Sequence, residues 1–297
     1  MPRTEKQGTP DAMTSPTLSR YWDRNGPLTQ GSRQPVSFIE TPPHEEALAR
    51  LEFLIERRRS FGCLTGPSGT GKSLVLNMAA RAARNRGCEV TCVDLFGSDS
   101  HDTLWQLAVN SRLDALAGKS HRWLWQSLSD HWNSLASARQ QSVLILDHLE
   151  HAEPDSLQLI ARILHLDAAQ SGWLTVLTAA SEDLGECLLA DLIEHADLRI
   201  ELPLMNRRET SEFVEKWLMA HDYSWLTLSE DARHALFQLG EGNPRELIGL
   251  VQLAIAAADH ANLNSLDATA IHDVARERPV RSRPSLTEIP ALAASWS

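Results

Sequence analysis

A short apolar run, Phe61-Gly62-Cys63-Leu64-Thr65, stops abruptly at Gly66-Pro67-Ser68-Gly69-Thr70-Gly71-Lys72-Ser73, and a helix-forming stretch follows at once. Glycines at 66, 69 and 71 are costly in a helix or paired strand, so this segment is a turn. A buried strand that feeds such a turn and then a helix opens a βα unit. At these three positions a side chain would obstruct the backbone conformations that let successive N–H groups point inward at an anion. The helix that starts near Gly71 adds the positive end of its dipole. Lys72 supplies a full charge for β and γ phosphates, and Ser73 supplies a hydroxyl for magnesium. The segment from Gly66 through Pro67, Ser68, Gly69, Thr70, Gly71 and Lys72 to Ser73 therefore reads as a grip on a nucleoside triphosphate.

The rest of the first two thirds extends this pattern. Strand-like runs at Cys88 to Leu95, Val143 to Leu146, Trp173 to Thr178 and Arg199 to Leu202 join the one at Phe61 to Thr65. Helical stretches separate them, among them 102–117, 121–139 and 154–169. Five such strands with intervening helices predict a parallel sheet covered on both faces. Ahead of the sheet, Thr41 reads as an N-cap with Pro42 at the first helical position, and Leu48, Leu51 and Ile55 follow at helical spacing. The Arg57-Arg58-Arg59 run closes that helix at the negative end of its dipole, with DNA contact as the sharper alternative.

The strand Val143-Leu144-Ile145-Leu146 ends at Asp147, a hard oxygen donor for the metal of a bound triphosphate. The next residue, His148, is an imidazole that can accept a proton from water. Glu150 lies two residues on and shares the side of His148 if the extended conformation continues. Three readings stay open: Glu150 activates water, which we favour; His148 does; or hydrolysis is slow and the protein senses nucleotide. At the end of the fourth strand, Thr178 and Ser181 are candidates to align the attacking water, with Ser181 preferred by position. Arg199 reads either as an arginine finger toward a neighbouring subunit's nucleotide or as an exposed strand residue.

From about residue 206 the pattern changes to helices alone, at 208–221, 229–239, 244–260 and 267–276. In Gly242-Asn243-Pro244-Arg245-Glu246, Asn243 is the N-cap, Pro244 the first helical residue, and Glu246 completes capping-box spacing. Arg245 puts a cation in the first turn, against the dipole; a γ-phosphate nearby would compensate, and a solvated surface arginine is the alternative reading. We divide the chain into a disordered arm (1–34), an α/β nucleotide-binding domain (35–205), a helical lid (206–277) and a disordered tail (278–297).

Composition narrows the partners. Lys plus Arg total 28 and Asp plus Glu 39, a net charge of −11 that works against DNA or anionic lipid binding over the whole surface. A local basic patch for DNA stays open. Cys63, Cys88, Cys92 and Cys187 show neither disulfide nor zinc spacing and read as buried free thiols. Trp105, Trp123, Trp125 and Trp132 read as helix packing rather than base-stacking platforms, because no basic pattern interleaves them. Without a signal-like N-terminus or a bilayer-spanning run, the expectation is a cytoplasmic protein with no membrane partner.

The glycine-rich loop, the Asp147 strand, the Leu202-Pro203-Leu204 link into an Arg208-Glu209-Thr210 helix, and Gly242-Asn243-Pro244-Arg245 together resemble an AAA+ P-loop ATPase. Within that family they resemble the group of general secretion pathway protein A (ExeA), related to the transposition ATPases TniB and MuB and to origin-recognition ATPases. The lead-in Ser37-Phe38-Ile39-Glu40-Thr41-Pro42 is similar to that group as well. The resemblance covers about residues 36–276 and implies a three-layer sandwich with sheet order 5-1-4-3-2, a small helical lid, and ATP with magnesium at the domain junction. It further implies homo-oligomeric rings or filaments acting on a protein or DNA partner, and it carries over Lys72, Ser73, Asp147 and Arg245. The membrane segment and wall-binding domain of secretion members are not recognisable here.

Overall fold

The computed structural model describes residues 39–113, 118–181, 192–261 and 263–277. The arm at 1–34, the tail at 278–297 and Cys187 lie outside these residues. By internal contacts the described chain divides into two compact units: 48–64 with 73–200, and 39–47 with 65–72 and 201–277. The loop Thr65–Lys72 thus falls with the C-terminal helices.

The first unit is built on alternating strands and helices. Helix α1 (Pro42–Glu56) precedes β1 (Phe61–Gly66), and α2 (Lys72–Asn85) leads to β2 (Glu89–Asp94). Helices α3 (Ser100–Asn110) and α4 (His121–Ser137) precede β3 (Ser142–Asp147); a 3-10 turn (Leu149–His151), α5 (Pro154–Leu164) and α6 (Asp167–Gln170) precede β4 (Leu174–Ser181) and then β5 (Leu198–Glu201). The strands lie in the order β2-β3-β4-β1-β5, the expected sequence read from the opposite edge. Every residue of β3 and β4 is buried, as the continuous apolar runs of a doubly covered parallel sheet require. Register sets Asp94 beside Asp147, so two strands end level with a carboxylate each.

The core of this unit joins Phe61, Leu104, Leu128, Leu144, Leu146 and Ile160. Trp132 and Trp125 are buried in it and Trp123 packs against it, whereas Trp105 is 41% exposed and departs from the packing role. Cys63 is buried and not in a disulfide; Cys88 and Cys92 are free but only half-buried, since Cys88 precedes and Cys92 lies within β2, an outer strand of the sheet. The helix expected over 154–169 breaks after Leu164, and the one at 102–117 stops at Asn110.

The second unit carries α7 (Arg207–Ala220), α8 (Glu230–Gly240), α9 (Pro244–Ala261) and α10 (Ala268–Glu277). Asn206 caps α7 reciprocally: its side chain accepts the Glu209 N–H at 3.0 Å, while Glu209 accepts the Asn206 N–H at 2.8 Å. Phe213, Trp217, Leu236, Leu247 and Leu250 form its core. Helices alone were expected here, but β6 (Thr227–Leu228) and β7 (Ser265–Leu266) pair in parallel. Two residues are too few to impose a strand period on a sequence.

Between α8 and α9 the chain turns sharply through Glu241 (φ 48°) and Gly242 (φ 71°). The Met205 N–H donates to the Gly242 carbonyl at 2.9 Å, and a Cβ on Gly242 would stand 1.9 Å from the Met205 oxygen. Gly242→Ala is therefore expected to lose at least ~2 kcal/mol, from left-handed strain plus the backbone clash. Urea denaturation followed by circular dichroism measures the loss.

Candidate functional site

The loop after β1 is organised by what happens to its carbonyls. Lys72 Nζ donates to the Gly66 carbonyl at 2.8 Å and to that of Pro67 at 2.9 Å. The Pro67 carbonyl also accepts the Thr70 hydroxyl at 2.9 Å. Asn243 Nδ2 donates to the Ser68 carbonyl at 2.7 Å, and the Arg245 N–H approaches that of Gly69 at 3.4 Å. His44 Nε2 meets the Thr70 carbonyl at 2.8 Å. Each carbonyl from Gly66 to Thr70 thus has a donor, and carbonyls so held are turned from the anion that the N–H groups of the same loop attract.

Arg245 is exposed and reaches Ser68 Oγ with its guanidinium at 3.4 Å. Asn243 Oδ1 accepts the Arg245 N–H at 3.1 Å, so Asn243 is a helix cap and a loop ligand together. The fit is close: a Cβ on Gly69 (φ +90°) would stand 2.5 Å from Asn243 Oδ1.

In the other unit, the residue after Lys72 approaches the end of β3. Asp147 is 2% exposed; its Oδ1 accepts the His148 N–H at 2.9 Å, while the buried Oδ2 has no protein hydrogen-bond partner. Burial raises the Asp147 pKa, opposed by His148 and by the nearby Ser73 hydroxyl and reinforced by Asp94. A buried carboxylate oxygen that accepts no short hydrogen bond, beside a serine hydroxyl, suits a hard cation such as magnesium.

The chain does not remain extended after Asp147. His148 is left-handed (φ 57°) and Leu149–His151 form a 3-10 turn, so the alternation that would have set Glu150 beside His148 fails. His148 Nδ1 instead lies 2.9 Å from Asp94 Oδ1. A carboxylate only accepts, so Nδ1 carries the proton and the acceptor of the neutral ring is Nε2. Burial lowers the His148 pKa, but Asp147, Asp94 and Glu150 together overcome it and the net shift is upward.

Glu150 is half-buried, and its Oε2 has no protein hydrogen-bond partner. Ser181 is the buried last residue of β4, and Thr178 lies inside that strand with a buried hydroxyl in the same condition. Arg199 is exposed on β5. Burial pushes the Cys63 thiol up to about 11, against Thr178 and Arg199 and with Glu150, so these side chains act on the middle of β1.

Comparison with known proteins follows the same lines. Residues 55–188 match the family described as "AAA domain". The chain has the P-loop NTPase fold, and this segment is similar to the AAA domain. It is 22% identical to general secretion pathway protein A of Aeromonas hydrophila over 81% of this chain and 44% of that protein. It is 24% identical to replication factor C small subunit 1 of Pyrobaculum aerophilum, over 80% and 65% respectively. The chain therefore spans less than two thirds of the length of either relative. Among solved structures, Cdc6p of Pyrobaculum aerophilum aligns with TM-score 0.63 and 15% identity over 78% of this chain and 66% of that one. Orc1 of Aeropyrum pernix in complex with DNA aligns with TM-score 0.61 and 16% identity over 80% and 66%. At such identities the structures establish the shared fold.

Asn243 and His44, beside the loop, and Asp94, beside Asp147, are neighbours that sequence reading missed. Asn243 was legible only as a helix cap. Asp94 would have followed from aligning the ends of β2 and β3. His44 carries no local signal.

Because folding raises the Asp147 pKa, its ionised form costs stability that grows as pH climbs through the folded-state value. Asp147→Asn keeps an oxygen for the His148 N–H and removes the buried charge. At pH 8 it is expected to raise Tm by ~2–4 °C per kcal/mol relieved, a gain that vanishes below about pH 4. The same variant should lose any thermal stabilisation by magnesium and ATP. Scanning calorimetry tests both.

Proposed function

We propose that the chain binds ATP with magnesium and hydrolyses it, and that the cycle drives conformational change or assembly on a partner. The observation that carries this is the buried Asp147 carboxylate, whose Oδ2 accepts no short hydrogen bond and lies 4.0 Å from His148 Nδ1, beside the hydroxyl of Ser73, the residue that follows Lys72. Lys72, with main-chain N–H groups of the loop from Gly66 to Ser73, holds the phosphates, and Ser73 and Asp147 hold magnesium. When bound, the metal neutralises charge on the β and γ oxygens.

Water orientation falls to His148 rather than Glu150. The left-handed turn takes Glu150 out of strand alternation, while Asp94 fixes the His148 ring with Nε2 as acceptor. Ser181 steadies the water, Arg245 senses the γ-phosphate, and Arg199 reaches toward a second copy's nucleotide. The working form is a homo-oligomer in the cytoplasm, with domains at 35–205 and 206–277. Among the described residues no helix is long and apolar enough to cross a membrane. The similar Orc1 structure is a DNA complex, but the net charge of −11 favours a protein partner. A second reading, a slow or non-hydrolysing ATP switch that controls assembly, is favoured by an imidazole, His148, rather than a carboxylate following Asp147.

Steady-state phosphate release with magnesium and ATP separates the readings. Lys72→Ala is expected to fall to background, and His148→Ala to lose about 100-fold in turnover with ATP affinity within a few-fold. Glu150→Gln should change turnover less than about threefold, the small effect of removing one peripheral hydrogen bond. The reverse pattern would return the role to Glu150. Wild-type turnover no higher than Lys72→Ala, with ATP still bound, would favour the switch; no magnesium-dependent affinity for ATP would end both. Arg245→Ala should keep ATP binding and blunt turnover or nucleotide-dependent oligomer size, measured by light scattering with and without DNA.

A further inference from the structure

A histidine that no motif explains is buried against the phosphate loop. His44 lies in the first turn of α1 and is 5% exposed, beside the equally enclosed Thr41 at 3%. Its Nε2 meets the Thr70 carbonyl at 2.8 Å, and its Nδ1 meets the Thr41 hydroxyl. A carbonyl can only accept, so Nε2 bears the proton. The neutral ring then accepts at Nδ1, and Thr41 donates its O–H there. Burial lowers the His44 pKa, in keeping with that neutral form.

The consequence lies in the peptide that His44 holds. A trans peptide is planar, with C=O and N–H pointing in opposite directions. Fixing the Thr70 carbonyl on His44 therefore aims the Gly71 N–H away from His44. Gly71 has φ +99°, and a Cβ there would stand 2.7 Å from His44 Nε2. The ring thus occupies the space that a side chain at 71 would need. Were the peptide to turn over, a carbonyl dipole would replace an N–H in the phosphate cradle and repel the anion.

We propose that His44 is a positioning residue of the phosphate loop: it holds the Thr70–Gly71 peptide so that the Gly71 N–H serves the bound phosphates, and Thr41 sets its tautomer. This rests on the ATP-binding reading above and adds a residue to it. His44 acts through Thr70 and touches no phosphate.

The test uses the full chain and titrates ATP with magnesium by calorimetry. The variants are His44→Leu, which fills the space without donating, and His44→Gln, whose amide can donate to the Thr70 carbonyl. Thr41→Val and Thr41→Ser are milder probes should His44→Leu fail to fold. Circular dichroism and Tm are recorded for each. His44→Leu is expected to weaken ATP affinity about tenfold, the scale of one main-chain hydrogen bond to an anion. His44→Gln should recover to within about threefold, and Thr41→Val should weaken binding where Thr41→Ser does not. In nitrogen–proton spectra, the Gly71 amide should shift on adding ATP with magnesium in wild type and His44→Gln, and much less in His44→Leu. Folded His44→Leu with wild-type affinity overturns the proposal. So does equal weakening in His44→Leu and His44→Gln, which would mark a packing role, and so does Thr41→Val indistinguishable from wild type. If wild type itself binds no ATP, the functional reading fails first and takes this inference with it.

Discussion

A cradle made of main-chain N–H groups works only when the carbonyls of the same peptides face elsewhere, because a misplaced carbonyl repels the anion that an N–H attracts. In this protein the carbonyls from Gly66 to Thr70 are held one by one, by Lys72, Asn243, Arg245 and His44. Three of these donors come from outside the loop, from the first turns of two helices far apart in sequence. Glycine supplies the freedom to adopt the loop's conformation, and these donors remove that freedom again. Lys72 differs from the rest: a flexible ammonium can leave the Gly66 and Pro67 carbonyls for a phosphate oxygen without breaking a helix.

The end of β3 follows a different logic. Parallel register brings Asp94 and Asp147 level, and the neighbouring Asp94 carboxylate disfavours the ionised form of Asp147. His148 lies between them, bonded to Asp94 and adjacent in sequence to Asp147, and its left-handed backbone keeps it there. The arrangement retains a buried carboxylate oxygen that accepts no short hydrogen bond, a cost in the free protein that suits a cation. Stability is given up at the position where metal binding would restore it.

The likeness to Cdc6p and Orc1 at 15–16% identity is a likeness of fold. The local feature of this chain is a histidine after the strand-end aspartate, with an acidic partner from the neighbouring strand. An imidazole fixed by a carboxylate presents one acceptor nitrogen, where a glutamate would present two oxygens. That difference bears on how fast water can be activated.

The strands themselves, the loop, Asp147 and the entry into α9 were legible from the sequence, because each depends on neighbours in the chain; the strand order was implied only by the family resemblance. Continuous apolar runs specify buried strands, glycine spacing specifies a turn that only an anion explains, and Asn-Pro after glycine specifies a helix start. The side of Glu150, the exposure of Trp105, the β6–β7 pair, and the roles of Asn243, Asp94 and His44 were decided by tertiary structure alone. His44 and Thr70 are 26 positions apart, Asp94 and His148 54, and Ser68 and Asn243 175. Bonds across such distances leave no period or local composition in the sequence; they exist only once strand register and helix packing have placed the partners.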